Sequence, residues 1–339
     1  MTINANSTVV TVKSQAVVGT AEPIALGVDP SLRCLEVSAE PRGEQLIERA
    51  DLSAAFGPSL PPVLGSQAWS MTLVTEHYGF DNALDASSSA LAPLWAACGY
   101  LRADGLGTVL WDVATSRPLV GAGSAGIVPC TIQVDEVDGN TFTAFDVVGT
   151  VEVSADSGAR IRLTWTLQGR WAGAPSASSL TAATMTPASV TYAGGTFVDP
   201  APWVNVDATL TTTTTGTVEG LASWGFTAGA ELAERPDATA GTDAFAPSYV
   251  NRAAAPVLTT VLDAAAEGTM NAWSTALTVT TGPVSVSIPG PGTATVTIGM
   301  PNGFAKLPAP QGDTFRQYGI EYGGAVDPAT GLTSSIGWT

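Results

Sequence analysis

The side chains that could do chemistry in this sequence are few and scattered. His77 is the single histidine, and next to Glu76 and Tyr78 it is better explained as a surface or interface residue than as a proton-transfer group. The segment GAGSAG at Gly121–Gly126 has the composition of a phosphate loop, but neither Lys-Ser/Thr nor a clear helix follows it. Candidate nucleophiles lack a second histidine or a GxSxG elbow. We therefore expect no catalytic residues and a protein that is not an enzyme.

An acidic cluster at Asp135, Glu136, Asp138 and Asn140 offers oxygen ligands of the kind that calcium binds. The cluster lacks the distal glutamate and the alternating oxygen spacing of an EF-hand loop. Asp138-Gly139 between two alternating segments instead predicts a hairpin turn, because both residue types tolerate positive φ. We expect a hairpin here, with no metal ligands and no cofactor.

The three cysteines, Cys34, Cys98 and Cys130, are odd in number and show no CxxC spacing. This argues against a disulfide framework and against a zinc site. We interpret all three as small buried hydrophobic side chains, which fits an intracellular origin best. The N-terminus lacks the pattern of a secretion signal, and no run approaches the length of a membrane span.

Composition favours a component of an assembly. Charged residues make up 13% of the chain, where an ordinary soluble domain has about 25%. Hydrophobic residues make up 45%, and nine tryptophans are present, which is typical of chains with extensive permanent interfaces. The formal net charge of -17 offers no basic patch for binding nucleic acid. An acidic protein can still lie beside DNA if it must avoid adhering to it.

The stretch from Arg42 to Leu101 is organised as a loop, a strand and a helix. The loop, Arg42–Gln67, is long for a compact domain, and we expect it to form a surface that another subunit covers. The residues assigned to this ring-stacking contact are Arg42, Glu44, Glu48, Arg49, Asp51, Phe56, Pro58, Pro61 and Pro62. Ala68–Glu76 alternates as a strand.

A helix is predicted at the end of this stretch. Its apolar residues follow the three-and-four spacing that gives a helix one apolar face. One helix in a chain that otherwise alternates must lie across the sheet and close its core. The core positions assigned to it are Leu91, Leu94, Trp95, Cys98 and Leu101.

Alternating segments fill the rest of the first half. Residues 1–28 form a polar, β-prone arm that could add a strand to this chain or to a neighbouring subunit. The predicted strands are Leu32–Glu40, Val109–Trp111, Cys130–Val137, Thr141–Ala155 and Arg160–Trp171. A low-complexity segment, Ala172–Ser189, then marks a linker or domain seam.

The second half repeats the order of the first. A strand at Ala222–Ala230, an acidic loop beginning at Glu231 and a strand at Ala255–Asp263 lead to a second short helix. Met270, Trp273 and Leu277 share one face of this helix, and Trp273 takes the role of Trp95. Further strands are expected at Ala208–Val218, Ala276–Thr281, Val284–Met300 with a turn at Pro289–Gly292, and Tyr318–Ala325.

The repeated order predicts two homologous β-rich domains with one helix each. The boundaries are an N-terminal arm at 1–28, a first domain at 29–172, a linker at 173–190 and a second domain at 191–339.

The first half resembles the first domain of siphophage tail tube proteins. Members of that family show a strand, a charged loop, a strand and a helix of the form PLxxLLxACGf. Leu91–Tyr100 (LAPLWAACGY) is the most specific part of the match, after CLEVSAEPRGEQLIERADLSAAFGPSLPPVLGSQAWSMTLVTEHYG. The second half is similar to the second domain of the longer tube proteins. The resemblance covers most of the chain beyond about residue 30 and identifies a major tail tube protein of the two-domain type.

This resemblance implies a fold of two tandem tail-tube β-sandwich or barrel domains, each flanked by a helix. It implies a virion structural protein whose stacked rings form the conduit for genome delivery, with trimeric rings for a two-domain chain and hexameric rings for single-domain members. The implied partners are other copies of the chain, a tape measure protein in the lumen, a tail terminator and a distal tail protein. Viral DNA would pass through without specific binding, no membrane is involved, and assembly would take place in the host cytoplasm.

Two other classes of function remain open. A β-sandwich binding module, such as a capsid decoration protein or a host-surface adhesin, would form a discrete oligomer with an exposed aromatic patch. A β-rich hydrolase is disfavoured because the side-chain groups that it needs are missing. An inner tube of a contractile tail is built from the same domain, and the duplicated order favours the non-contractile type.

Overall fold

The structure is a computed structural model. It describes residues 8–29, 31–32, 34–42, 46–47, 63–64, 68–76, 91–105, 108–114, 127–181, 204–212, 216–218, 221–229, 231–236, 245–251, 255–263, 276–278, 280–290, 295–311, 317–329 and 332–338. The chain is mainly β, as its alternating segments predict, and the described strands pair antiparallel.

The first half forms one helix and a series of strands. They are β1 (Thr8–Ser14), β2 (Ser31–Leu32), β3 (Cys34–Arg42), β4 (Leu46–Ile47), β5 (Val63–Leu64), β6 (Ala68–Glu76), α1 (Ala92–Ala97), β7 (Tyr100–Gly105), β8 (Thr108–Ala114), β9 (Cys130–Glu136), β10 (Asn140–Asp156), β11 (Arg162–Trp171) and β12 (Ser176–Ala177).

The second half forms a comparable series, with a helical stretch at 276–278. Its strands are β13 (Thr209–Thr212), β14 (Gly216–Val218), β15 (Leu221–Thr227), β16 (Glu231–Pro236), β17 (Phe245–Asn251), β18 (Val257–Asp263), β19 (Thr281–Pro289), β20 (Thr295–Ala305), β21 (Ala309–Gln311), β22 (Gln317–Gly324) and β23 (Leu332–Trp338).

Strands of the two halves are hydrogen-bonded in the same order. In the first half the order is β3-β6-β11-β10-β9-β1-β2. In the second half it is β15-β18-β22-β20-β19-β13-β14. The two-stranded pairs β4–β5 and β16–β17 also occupy corresponding places, between β3 and β6 and between β15 and β18.

The two halves are joined into one continuous sheet at two places. The end of β10 pairs with β15, and β8 pairs with β23. Within the predicted linker, β12 pairs with the start of β10. The division into an arm, two domains and a linker stays a prediction, because a shared sheet neither requires nor excludes two units of common origin.

A large apolar cluster lies under this sheet. Along β11, Leu163, Trp165 and Leu167 are buried and alternate with residues directed to the other face, as period-two patterning requires. The rings of Trp95 from α1 and Trp165 meet edge to face with centroids 4.9 Å apart, a favoured aromatic geometry. The Trp165 Nε1 group donates a hydrogen bond of 2.9 Å to Thr75 Oγ1, so the buried indole keeps a partner for its N–H.

The predicted helix forms, but it is shorter than its apolar pattern. Leu91, Leu94, Trp95 and Cys98 are buried, and α1 lies against β1, β9 and β10. Gly99 adopts a φ of +83°, the left-handed conformation that ends helices. Leu101 therefore belongs to β7 and not to the helix, and this assignment was wrong.

In the second half, several assignments differ from the sequence analysis. The Thr-rich segment, expected as one strand, forms two paired strands, β13 and β14. The sequence did not separate them, because a run of threonines carries no signal that divides one strand from the next. The acidic loop begins as β16, and the strand expected from Ala276 starts only at Thr281. A short apolar run does not distinguish helix from strand.

The second helix is only partly described. Leu277, assigned to a buried helical face, is 72% exposed. The helical residues 276–278 precede β19, and the Thr278 and Thr280 hydroxyl groups are hydrogen-bonded to each other at the surface. The assignment of Leu277 to the core was therefore wrong, and Met270 and Trp273 lie outside the described residues.

Residues 8–14 of the N-terminal arm add a strand to this chain. As β1 they pair with β9 over their whole length, from Thr8 opposite Glu136 to Ser14 opposite Cys130. The strand is half-buried to buried, so it belongs to the core of the first half.

Candidate functional site

The residues considered for chemistry do not converge on a reaction centre. His77 and Gly121–Gly126 lie outside the described residues. Asp138 and Gly139 lie in the turn between β9 and β10, with Asp138 at a φ of +54°, so the predicted hairpin is confirmed. The carboxylate of Asp135 accepts hydrogen bonds from Gln133 Nε2 and Thr141 Oγ1. In the described part of the chain, no three His, Cys, Asp or Glu side chains are grouped as metal ligands.

The cysteines do not form a reactive centre either. Cys98 and Cys130 are buried, Cys34 is half-buried, and all three are free thiols. Burial raises the pKa of the Cys34 thiol to about 12. Burial also raises the pKa of the Cys130 thiol well above its ordinary value. Since the thiolate is the nucleophile, both groups are held in the unreactive form at neutral pH.

The feature that joins the two halves is a strand pair between β10 and β15. Glu152, Ser154 and Asp156 lie opposite Thr227, Gly225 and Ser223. The pairing continues past the end of β10, where Ser157 N donates to Ala222 O at 2.8 Å. The last third of β10 is thus used on both edges, by β11 and by β15.

Buried side-chain contacts stabilise this joint. Trp224 on β15 donates from Nε1 to Asn205 Oδ1 at 3.0 Å, and both residues are almost fully buried. The backbone at Asn205 exchanges hydrogen bonds with the turn after β10, through Gly158 N and Ala159 O. A buried indole that kept no acceptor would destabilise the fold by about 1–3 kcal/mol, so Asn205 ties the second half to the first.

As a consequence, eight successive strand positions form one uninterrupted surface. Their order is β3-β6-β11-β10-β15-β18-β22 followed by the segment that contains β21. Residues directly opposite each other share a face. Glu36 is therefore on the same face as Val74, Thr164, Glu152 and Thr227 across five strands.

This open face, directed away from the apolar cluster, is polar and acidic. Ser38, Thr72, Thr166, Ser154 and Thr259 are exposed on it. The carboxylates on this face are those of Glu36, Glu76, Glu152, Asp156, Asp263 and Glu321. Among the described side chains, these carboxylates outnumber the basic groups beside them. Two of those basic groups form ion pairs with carboxylates of this face, Arg160 with Glu76 and Lys306 with Glu321.

A groove of about 430 Å³ lies on this face at the joint between the halves. Ser154, Asp156, Arg162, Trp224 and Thr259 contribute to its walls. The Arg160–Glu76 ion pair, at 2.6 Å, lies beside it. The groove contains hydroxyl groups and opposite charges but no cysteine or histidine among its lining residues, which makes it a polar recess of the sheet surface.

The two ends of the eight-position surface are strand edges. Among the described residues β3 pairs with β6 alone, and the segment 306–311 pairs with β22 on one side. Apolar side chains are exposed at both edges, with Leu35 41% and Leu307 57% exposed. Unpaired edges with apolar side chains are sites at which another strand can add.

Most of the residues assigned to the long loop lie outside the description. Only the backbone of Arg42, at the end of β3, is described, and Glu44, Glu48, Arg49, Asp51, Phe56, Pro58, Pro61 and Pro62 lie outside. Leu46–Ile47 pairs with Val63–Leu64 across the loop. The corresponding pair in the second half, β16–β17, lies against β10 and β11 of the first half. That contact shows how such a hairpin reaches beyond its own half.

Sequence reasoning missed the open face and its edges. The repeated order of elements contained the signal for the edges. β15 has a neighbouring strand on both sides, whereas its counterpart β3 has one on a single side among the described residues, and this difference marks an open edge. No protein-family model matches the sequence, and no curated protein matches it either. Within the described ranges, no helix has the length and apolar character needed to cross a membrane.

Proposed function

We propose that the chain is a virion structural protein that assembles into stacked rings and forms the tail tube of a long, non-contractile phage tail. The observation that supports this most is the eight-position sheet that runs through both halves and ends in two edges. A sheet with one face on a core and one open face exposes two edges, and pairing these edges with further copies would close it into a wall.

The strand number agrees with a channel. Three copies of an eight-position sheet supply 24 strand positions, and strands are spaced about 4.8 Å apart. The closed wall would then be about 37 Å across for untilted strands, and wider when they tilt. Barrels of 16–18 strands already leave an aqueous channel, so a ring of three copies is wide enough for a polymer to pass.

The chemistry of the open face supports passage of DNA without adhesion. Basic grooves bind nucleic acid by neutralising phosphates and releasing counterions. A wall of hydroxyl groups with excess carboxylates does the opposite, since it repels phosphates and offers few cations to replace their counterions. We place Glu36, Glu152, Asp156 and Asp263 in the lumen on this ground.

Ring stacking is assigned to the loop Arg42–Gln67, which reaches from one ring toward the next. The β16–β17 hairpin supports a contact role outside its own half, because it lies against β10 and β11. The remaining partners follow from the proposal. They are a tape measure protein in the lumen and the terminator and distal proteins at the two ends of the tail.

Negative-stain electron microscopy of the concentrated protein tests this function. The proposal predicts hollow tubes with a regular axial repeat. A decoration protein or an adhesin would instead give discrete oligomers with no axial repeat at any concentration, and that result would reject the tube.

A further inference from the structure

The joint between the two halves repeats structural details of the rest of the sheet. β3 and β15 occupy the same place in the strand orders of the two halves. β3 lies beside β6, which pairs next with β11, and β15 lies beside β18, which pairs next with β22. Both show a register irregularity at their start, at Cys34–Glu36 and at Leu221–Ser223. β15 is thus a second β3, with one difference: its outer edge is covered by β10.

The covering strand also has a counterpart. Arg162 lies opposite Ser154, and the corresponding residue in the second half, Gln317, lies opposite Gln311. The segment that ends at Gln311 is therefore a second copy of the end of β10. On its outer edge the structure describes no partner strand.

Exposure at this edge differs from exposure at the joint. Val153 on β10, which lies opposite Phe226 at the joint, is 1% exposed. Pro310 takes the corresponding position and is exposed, together with Ala309 and Gln311. Leu307 is also 57% exposed. The outer edge at residues 307–311 therefore exposes apolar side chains, and the structure describes no strand paired along it.

We propose that a second copy of this chain supplies the missing cover, by pairing its β3 with Ala309–Gln311 in the register of the β10–β15 joint. The inference rests on the proposed function and adds to it the two edges, their register and their head-to-tail order. Transferred position by position, Ser154 opposite Gly225 becomes Gln311 opposite Ser38. Ala309 then lies opposite Glu40.

The contact is heterologous, because one edge of each copy meets the other edge of the next. Heterologous contacts close into rings when their rotation permits, and otherwise continue as filaments. The joint within the chain and the contact between copies would have the same strand-pairing geometry, and the two would alternate around the ring. A ring of three chains would therefore have six similar joints.

Pro310 gives this edge selectivity. N–H groups alternate between the two edges of a strand, and since Ser157 N is directed to β15, Val153 N is directed there too. Proline at the corresponding position has no N–H to donate. The contact between copies therefore has one backbone hydrogen bond fewer than the β10–β15 joint. Proline at an edge also disfavours pairing with unrelated strands.

Disulfide trapping tests the register. Ser38→Cys with Gln311→Cys places the two thiols in a pair that is not hydrogen-bonded, where Cα atoms are about 4.5 Å apart, within the range for a disulfide. Thr72→Cys with Gln311→Cys is the matched control, because Thr72 lies opposite Ser38 on β6, one strand farther away. The native Cys34 thiol, whose pKa is about 12, contributes little to oxidation near neutral pH.

The proposal predicts that oxidation of assembled S38C/Q311C converts most chains into covalent trimers on non-reducing gels, whereas T72C/Q311C stays monomeric. Tubes without crosslinked chains would overturn the edge assignment and leave the proposed function standing. Crosslinked trimers without tubes would keep the edge contact and reject the tube. Neither tubes nor crosslinks would reject both.

Hydrogen exchange on the unmodified protein gives a second test that no substitution can disturb. Backbone amides of Val37 and Ala39, which correspond to Trp224 and Phe226, should exchange more slowly in assembled protein than in dissociated subunits. Equal exchange in both states would contradict pairing at β3.

Discussion

At the scale of single residues, Asp146 determines the course of the longest strand. It is fully buried and has a φ of +52°, at the bulge where β10 leaves β9 and goes on to pair with β15. Its Oδ1 atom accepts from Gly19 N at 2.7 Å and from Gln15 Nε2 at 3.0 Å. Bulges redirect strands, and this one lets β10 serve two parts of the sheet.

We expect Asp146→Ala to lower the free energy of unfolding by about 4–8 kcal/mol, because alanine in a left-handed conformation costs about 1–2 kcal/mol and each of the two lost bonds to the buried carboxylate about 1.5–3 kcal/mol. Asp146→Asn tolerates the same φ and keeps one acceptor, so its loss should be smaller. Urea unfolding of dissociated subunits, followed by tryptophan fluorescence, measures both. Equal losses would contradict this role of φ and hydrogen bonding at position 146.

The sequence could not have predicted this residue. Gln15 and Gly19 are 131 and 127 positions away from Asp146, and a lone aspartate within a β-prone segment carries no local signal. The turn at Asp138-Gly139 was predictable because its signal lies within the turn itself. Residues that act through distant partners need the fold to be seen.

At the scale of elements, the loop Arg42–Gln67 carries the proposed contact between rings. Its counterpart in the second half contains the hairpin β16–β17, which extends to β10 and β11 of the other half. The first-half loop contains a shorter pair, β4–β5. We infer that it makes its contacts with another copy.

Deletion of Pro58–Gly65 should leave folded, soluble subunits that no longer stack into tubes. A variant in which the same eight positions are replaced by Gly and Ser keeps the loop length and removes its apolar and proline contacts. Both variants should keep the thermal midpoint of the unassembled subunit and lose tubes in negative stain. Full-length tubes from either variant would show that the loop does not stack the rings.

Elements with a clear period were predictable, and those without one were not. The hairpin β9–β10 and the strand β11 follow from alternation. The end of α1 did not, because Leu101 continues the helical spacing past Gly99. The strands β16, β17 and β23 were missed, since neither an acidic start nor a short polar segment distinguishes a strand from a loop.

At the scale of the whole molecule, the order of elements predicted two similar halves. In the structure the strands of the two halves pair in the same order and join into one sheet. The continuity of the sheet through β10 and β15 could not be predicted from the sequence, because strand partners so far apart leave no periodic pattern. The placement of carboxylates on the open face depends on this register. The composition showed only that carboxylates outnumber basic side chains in the chain.

The acidic open face makes a prediction about DNA. Ser154→Lys with Thr166→Lys adds two cations per chain to the face, and Ser176→Lys with Ala177→Lys adds two on β12, away from it. Tubes of the first variant should retain short duplex DNA about tenfold or more above wild-type tubes at low salt, with the difference lost at high salt. Co-sedimentation measures this, and equal retention by both variants would place the face outside the lumen.

In the proposed tube, copies of this chain continue one another's sheet into a closed wall around a channel. Cryo-electron microscopy of assembled protein, with averaging of the tube cross-section, tests it most directly. We expect rings of three chains with six similar lobes and an inner wall of 24 strand positions formed by the face that carries Glu152 and Asp263. A solid cross-section, or a ring in which this face is directed outward, would contradict it.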